Sequence, residues 1–195
     1  MNIIALFVFI VLQILFIPLA IIGFLLVAYR QMIGSRNLGV SSTAIEIING
    51  RWTMDRFGIR QDHAAVKLNR VLPNSSVMGL WLVLFPLYVR YKISGKHWLY
   101  PTVAVRGEEG VANLVTNRTL YFDAIIDEAK DQVDQLVVMG AGFDTRCYGA
   151  LKESGLTMFE LDQAKTQRLK REYLAKAGVD SAHVRFVEVD FATEQ

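Results

Sequence analysis

The chain has 195 residues, enough for one domain of ordinary size, and a formal net charge of +2. So small a charge, with no Lys/Arg block interleaved with aromatics, argues against a nucleic-acid-binding protein. The single cysteine, Cys147, excludes an internal disulfide framework and fits a reducing compartment.

Met1 to Tyr29 carries no charged residue and consists almost wholly of Ile, Leu, Phe, Val and Ala. As a helix it would reach roughly 40 Å, enough to cross a hydrocarbon core of about 30 Å with tilt. Pro18 and Gly23 are tolerated in spanning helices. A cleaved signal peptide would show a basic start, a shorter apolar core and a small-residue cleavage site. None of these is present, and the run ends in Ala28-Tyr29-Arg30. Residues 1–29 are therefore expected to be a permanent membrane anchor. Arg30 and Arg36 follow the run and no basic residue precedes it, so the positive-inside rule predicts a single pass with the rest of the chain on the cytoplasmic side.

Residues 30–44 read as a polar linker, in which Ser41, Ser42 or Thr43 can cap a helix running through Ile45, Ile47 and Ile48. Residues 51–70 are basic and mixed and read as helical. Val71 to Val89 is a second uncharged run. Pro73-Asn74-Ser75-Ser76 breaks it, Pro86 interrupts the remainder, and both flanks are basic (Lys67 and Arg70 before; Arg90, Lys92 and Lys96 after). A buried or surface-lying helix is expected there rather than a second span.

Pro101 to Gly110 reads as a loop. From Val111 to Lys130 the period is helical, with Val111, Leu114, Val115, Arg118, Phe122, Ile125, Ile126 and Ala129 on one face. Strands are predicted at Gln135–Met139, Thr157–Leu161 and Val184–Val189, with helical stretches near 146–153 and 163–176 between them. Such alternation indicates a parallel sheet in an α/β fold.

The chemistry-bearing pattern begins at Leu136-Val-Val-Met-Gly-Ala-Gly-Phe-Asp-Thr-Arg146 and continues at Phe159-Glu-Leu-Asp162. A short apolar run ends in a glycine turn, and about twenty residues later a second run ends in an acid. Doubly wound folds present a nucleotide-like cofactor in this way, with backbone N–H groups at the turn and a carboxylate for the ribose hydroxyls. Position 144 is Asp where the dinucleotide fingerprint has its third glycine, which disfavours NAD or FAD. Gly140 and Gly142 also suit a plain strand-to-helix turn, which Asp144 can cap. Asp162 faces the ribose or caps the next helix. Asp190, ending the third strand, takes an adenine amino group or is a solvated loop acid.

Arg118 interrupts an apolar stripe. A guanidinium facing a core needs an anion, such as a cofactor or substrate carboxylate; alternatively its head reaches water or pairs with Asp123 or Asp127. His63, His97, His183 and Cys147 have no ligand spacing or partner and read as structural, so no metal is expected.

Arg118-Thr119, Tyr121-Phe122-Asp123, Val137-Val-Met-Gly-Ala-Gly-Phe-Asp-Thr-Arg146, Phe159-Glu-Leu-Asp-Gln163 and Val189-Asp190-Phe191 together closely resemble the leucine carboxyl methyltransferase family. Its members are S-adenosylmethionine-dependent enzymes with the class I (Rossmann-like) fold. The resemblance covers roughly residues 105–191. It implies that Arg118 binds the methionine carboxylate of the cofactor and that Gly140, with Gly142 in the same turn, lies under the methionine portion. Asp162 would hold the ribose, and Asp190 with the Phe191 backbone would recognise adenine. Residues 45–195 would then form an incomplete cofactor-binding domain, with 45–130 a helical lead-in and 131–195 strands one to three. A class I sheet has seven strands with strand one central, so the chain reads as the amino-terminal part of a longer enzyme or one product of a split or truncated gene. A second chain would supply the missing strands. A small-molecule or protein carboxylate is the expected acceptor, and no catalytic residue is named. Two rivals stay open: a nucleotide-binding oxidoreductase, and a non-enzymatic, membrane-anchored pseudoenzyme or partner-binding fragment.

Overall fold

The computed structural model describes residues 2–108, 110 and 113–193. Helix α1 (Ile3–Tyr29) is capped by the Asn2 side chain, which accepts from the Ala5 N–H. It does not give way to a linker. A π-helical turn (Arg30–Gly34) and α2 (Ser35–Leu38) carry the helix on to Gly39, whose left-handed conformation ends it. Tertiary partners hold this segment: Arg30 donates to the Ser75 carbonyl, and Asn74 donates to the buried Ser35 hydroxyl. Most of the linker expected at 30–44 is thus an ordered extension of α1 up to Leu38, because its polar side chains bond to a loop forty residues away, and its last three residues open the next helix.

Ser41 caps α3 (Ser42–Arg56), accepting from the Thr43 N–H. After a turn at Gly58, α4 (His63–Val71) starts at Asp62, which accepts from the Ala65 N–H. The expected helix over 51–70 is thereby two helices. The Pro73–Ser76 break ends in Ser76, the cap of α5 (Val77–Ser94), and Pro86 is accommodated inside that helix.

Helix α5 lies antiparallel along α1: Gly23 meets Gly79, Phe16 stacks on Phe85 with centroids 5.1 Å apart, and Phe9 meets Trp98 edge-on at 5.2 Å. The opposite side of α5 packs on Trp52 and Phe57 through Trp81, Tyr88 and Tyr91. Two helices, Ile3–Leu38 and Val77–Ser94, are long and apolar enough to cross a membrane by length and composition. Away from α5, the α1 surface is open, with Ile3, Phe7, Ile14, Leu15 and Phe24 all exposed.

Helix α6 (Leu114–Ala129) matches the periodic stretch; its expected first turn includes Val111, which lies outside the described residues. Its buried positions are Thr116 and Thr119, whereas Leu114, Phe122 and Ile125 are exposed. The apolar stripe therefore faces away from the described core.

Strands β1 (Gln135–Met139), β2 (Thr157–Asp162) and β3 (Val184–Glu188) form a parallel sheet in the order β1-β2-β3, with Val137 opposite Phe159 and Phe159 opposite Arg185. The predicted strands agree to within a residue. Between β1 and β2 the chain makes two 3-10 turns, Arg146–Tyr148 and Ala150–Glu153, in place of an expected helix. Helix α7 (Ala164–Lys176) follows β2. The main core joins α3 and α4 (Ile45, Ile48, Ala65, Leu68) to Phe143 of the glycine loop and Leu174 of α7. The helical lead-in is thereby fused to the sheet unit. β1 lies at a sheet edge, where Val137 and Met139 are exposed.

The Gly23–Gly79 crossing has no spare room: a Cβ at Gly79 would sit 2.7 Å from the Gly23 carbonyl oxygen and 2.9 Å from Val27. Gly79→Leu is expected to destabilise the chain by about 1–3 kcal/mol through overpacking. Gly149→Ala, with nothing within 4 Å of the new Cβ, should stay within about 0.5 kcal/mol of the parent. Thermal melts of the detergent-solubilised chain check both.

Candidate cofactor cleft

The glycine turn follows directly from β1. Gly140 and Gly142 take φ of +60° and +46°, a region that L side chains rarely adopt. A Cβ at Gly142 would also lie 3.3 Å from Ala44 Cβ, so the lead-in packs close above the turn. The Ala141 N–H donates to the Leu161 carbonyl, and the Gly142 N–H donates to Asp162 Oδ2 at 2.6 Å. The second carboxylate oxygen accepts from the Gln163 N–H at 2.7 Å. Asp162 is thus held against the glycine turn and does not cap α7, whose N-cap is Gln163.

A cleft of about 710 Å³ opens over this turn. It falls in the size range of small-molecule sites. Its floor is Gly140–Asp144, with Asp162, Gln163 and Thr166 on one side, Arg118 with Leu114 and Val115 of α6 on another, and Phe191 at the rim. The remaining wall is Ser41, Thr43, Ala44, Glu46 and Ile47 from the start of α3. Of the residues singled out in the sequence, the structure brings together Arg118, Gly140, Gly142, Asp162 and Phe191. Asp190 is not among the lining residues; its carboxylate accepts from the Ala192 N–H and closes its own turn.

Arg118 is exposed and lines the cleft, so it does not face a core. The alternative acids are engaged elsewhere. Asp123 pairs with Arg60 and with Arg146 at 3.7 Å, and Asp127 pairs with Lys130. Among the described residues Arg118 has no ion-pair partner, which leaves its charge available to an anion in the cleft.

The Asp-Thr-Arg segment after the glycines serves the scaffold. Arg51, 1 % exposed, lies between Asp144 Oδ2 at 2.8 Å and Asp62 Oδ2 at 3.3 Å. Thr145 donates to Asp62 at 2.7 Å, Arg60 also reaches Asp62, and Arg146 joins Asp144 to Asp123. Lys170 of α7 donates to the Asp144 carbonyl at 2.7 Å and pairs with the buried Glu160 of β2 at 2.6 Å. Asp144 was expected to cap a helix; it accepts from the Arg146 N–H, and the turn it opens is 3-10. Sequence reading missed Arg51, Asp62, Lys170 and the cleft wall 41–47. The one local signal was the cap at Ser41.

The histidines are structural: His97 bonds to the Phe57 carbonyl, His183 to the Cys147 carbonyl, and His63 is exposed. Burial pushes the Cys147 thiol up to about 12, which makes it a poor nucleophile. Among the described residues no cluster of His, Cys, Asp or Glu could hold a metal ion.

A parallel βαβ unit with a cleft at the carboxyl end of β1 and an acid at the end of β2 defines a nucleotide-type ligand-binding α/β protein. The leucine carboxyl methyltransferase model matches residues 91–195, and the chain belongs to that family. A protein of Mycobacterium avium (strain 104), named as a candidate S-adenosyl-L-methionine-dependent methyltransferase, is 29% identical over 153 residues, covering 77% of this chain and 47% of the relative. Proteins of the same name from Mycobacterium sp. (strain KMS) and Mycobacteroides abscessus are 42% identical over 86 residues and 36% identical over 84. These shorter matches cover 43% and 42% of this chain, and 28% of each relative. The chain spans about half the length of this Mycobacterium avium relative.

Burial raises the Asp144 carboxyl, but Arg51 above all, with Arg146, the Arg146 N–H and Lys170, pulls it below the usual carboxylate range. A depressed acid contributes stability above its unfolded value, near 4, which is lost as pH falls through the folded value. The stability gap between the parent and Asp144→Asn should therefore be full at neutral pH and close below about pH 4. Arg51→Ala removes the buried cation that Asp62 and Asp144 share, leaving each with one remaining arginine, and is expected to cost about 3 kcal/mol. Urea titrations across pH measure both.

Proposed function

We infer that this chain is the cofactor-binding part of an S-adenosylmethionine-dependent methyltransferase, with residues 45–195 as the binding domain and a carboxylate on a small molecule or protein as acceptor. The observation that carries this is Arg118: a cation with no ion-pair partner among the described residues, in a cleft whose floor is a glycine turn and whose far side is Asp162. The amino-acid end of the cofactor brings a carboxylate for Arg118. Asp162, already bonded to the Gly142 N–H, offers its remaining lone pairs to the ribose hydroxyls. Gly140 lets the methionine portion approach the backbone, and Phe191 flanks the adenine. Asp190 shapes the turn that presents Phe191. The absence of a third glycine at position 144, where Asp144 is tied to Arg51, weighs against NAD.

When bound, S-adenosylmethionine supplies a methyl group on an electrophilic sulfonium. A carboxylate acceptor is already ionised near neutral pH. The protein's task is then to hold the reacting atoms in line and exclude water, and no side chain has to take a proton. The start of α3 contributes Ser41, Thr43, Ala44, Glu46 and Ile47 to the wall of the cleft. Strands from another segment or a second chain would pair with the open edge of β1 and complete the acceptor pocket.

We assign α1 as the element that holds the protein at a membrane, with the domain on the cytoplasmic side. Its exposed apolar surface and the arginines that follow it support this. The chain should sediment with membranes and resist carbonate extraction. Release of the intact chain by carbonate contradicts the assignment.

Calorimetry tests the cofactor reading. S-adenosylmethionine should bind and NAD should not. Asp162→Ala removes charge-assisted hydrogen bonds of about 1.5–3 kcal/mol, so affinity should fall roughly tenfold to a hundredfold. Arg118→Ala should weaken S-adenosylmethionine but affect methylthioadenosine, which lacks the carboxylate, far less. Equal weakening of both ligands removes Arg118 from its assigned role.

A further inference from the structure

The residues on either side of α5 share one core. Ile48 and Leu68, before it, pack with Phe143 and Leu174, after it, and Arg51 pairs with Asp144 across the same boundary. Both ends of α5 therefore lie on one side of any membrane, and α5 is not a crossing. Yet α5 and Trp98, just after it, are clamped along α1 from Phe9 to Gly23, a stretch of about 21 Å. Its other side is fastened to Trp52 and Phe57, and the Phe57 carbonyl also holds His97. The Arg60–Asp62–Asp123 cluster begins three residues beyond Phe57. The folded domain thus runs beside α1 over most of its length.

If α1 crossed a bilayer in this arrangement, it would draw α5, Lys92, Lys96 and the charged turn after Phe57 in with it. Ionised groups at that depth are costly. Basic residues also flank both ends of the α1–α5 pair: Arg30 and Arg36 at one, Lys92 and Lys96 at the other, all exposed. A crossing would set one basic pair at the far face, against the positive-inside rule. Laid flat, the pair presents all four to the same layer of anionic headgroups. Trp98, partly exposed between Phe9 and Arg90, suits that layer as well.

We propose that α1 lies in the plane of one leaflet, with its open apolar face among the acyl chains and α5 above it, so that the protein is monotopic. This replaces the single pass expected from length and composition, and it rests on the membrane assignment above. Lipid is the partner because the exposed face is apolar along its whole length and its borders are basic. The backbone of α1 is satisfied internally, so immersion leaves no unpaired peptide group.

The test is thiol labelling of the full chain in expressing bacterial cells. Asn2→Cys reports the start of α1, and Ala175→Cys, exposed on α7, reports the domain; Cys147 is buried, and the parent chain is the unlabelled control. With a membrane-impermeant maleimide on spheroplasts, both positions should be protected, and both should label after permeabilisation. Labelling at both positions from outside keeps the in-plane helix and overturns only the cytoplasmic side. Labelling at one position alone shows a crossing and overturns the proposal. A chain recovered wholly in the soluble fraction overturns the membrane assignment and this proposal together, while cofactor binding by calorimetry stands or falls independently.

Discussion

The pairing of Arg51 with Asp62 and Asp144 is the constraint on which the rest depends. It joins by charge three segments that also share the main core: α3, the start of α4, and the loop that leaves β1. A buried guanidinium of this kind is tolerated only when both of its faces meet acid, and each acid in turn needs further donors. Thr145, Arg60, Arg146 and the Ala65 N–H supply them. The network is closed by Lys170, which fixes the Asp144 carbonyl from beneath while neutralising Glu160. Because low dielectric strengthens such a network and penalises any gap in it, the loop has one well-defined arrangement.

That arrangement decides what the cleft can bind. The glycine turn is open above Gly140, Asp162 is held to it by the Gly142 N–H, and α3 is drawn so close that a Cβ at Gly142 would crowd Ala44. The family signature therefore divides by role. Its glycines leave two positions of the cleft floor without side chains, while its Asp, Thr and Arg hold the lead-in helices that form the opposite wall. The residue left over is Arg118: Asp123 and Asp127 on its own helix are committed to other cations.

The strands and the glycine turn were legible because their signals are local: apolar runs of about five residues, bounded by turn formers, with an acid at the end of the second. Asp162 and Gly140 followed for the same reason. Arg51 was not legible, since its partners are 11 and 93 residues away and its surroundings read as a mixed basic segment. The stretch from Arg30 to Ala44 misled in the opposite direction. Its glycines and serines are turn formers by composition, yet Ser35 and Arg30 find partners in the Asn74–Ser75 loop, and the helix continues. The stripe on α6 had the right period but the wrong consequence, because a period reveals a shared face and not what covers it. Asp190 was placed by its position at the end of the third strand; in the fold its Oδ1 accepts from the Ala192 N–H, while Phe191 beside it lines the cleft.

The helix that starts at Ile3 continues without a break to Leu38, with the widened π turn at Arg30–Gly34 inside it. Three residues later the chain is already forming the cleft wall at Ser41. In a rod of this kind the angular phase at one end is set by residue count at the other. One residue more or less advances the helix by about 100° and 1.5 Å. The extra residue accommodated by the π turn acts as a phase adjuster, bringing Ser35 round to Asn74 while α1 keeps its apolar surface outward. Length changes in this segment are therefore steering changes: they re-aim the mouth of the cleft relative to the apolar surface, even where every side chain in the cleft is left as it was.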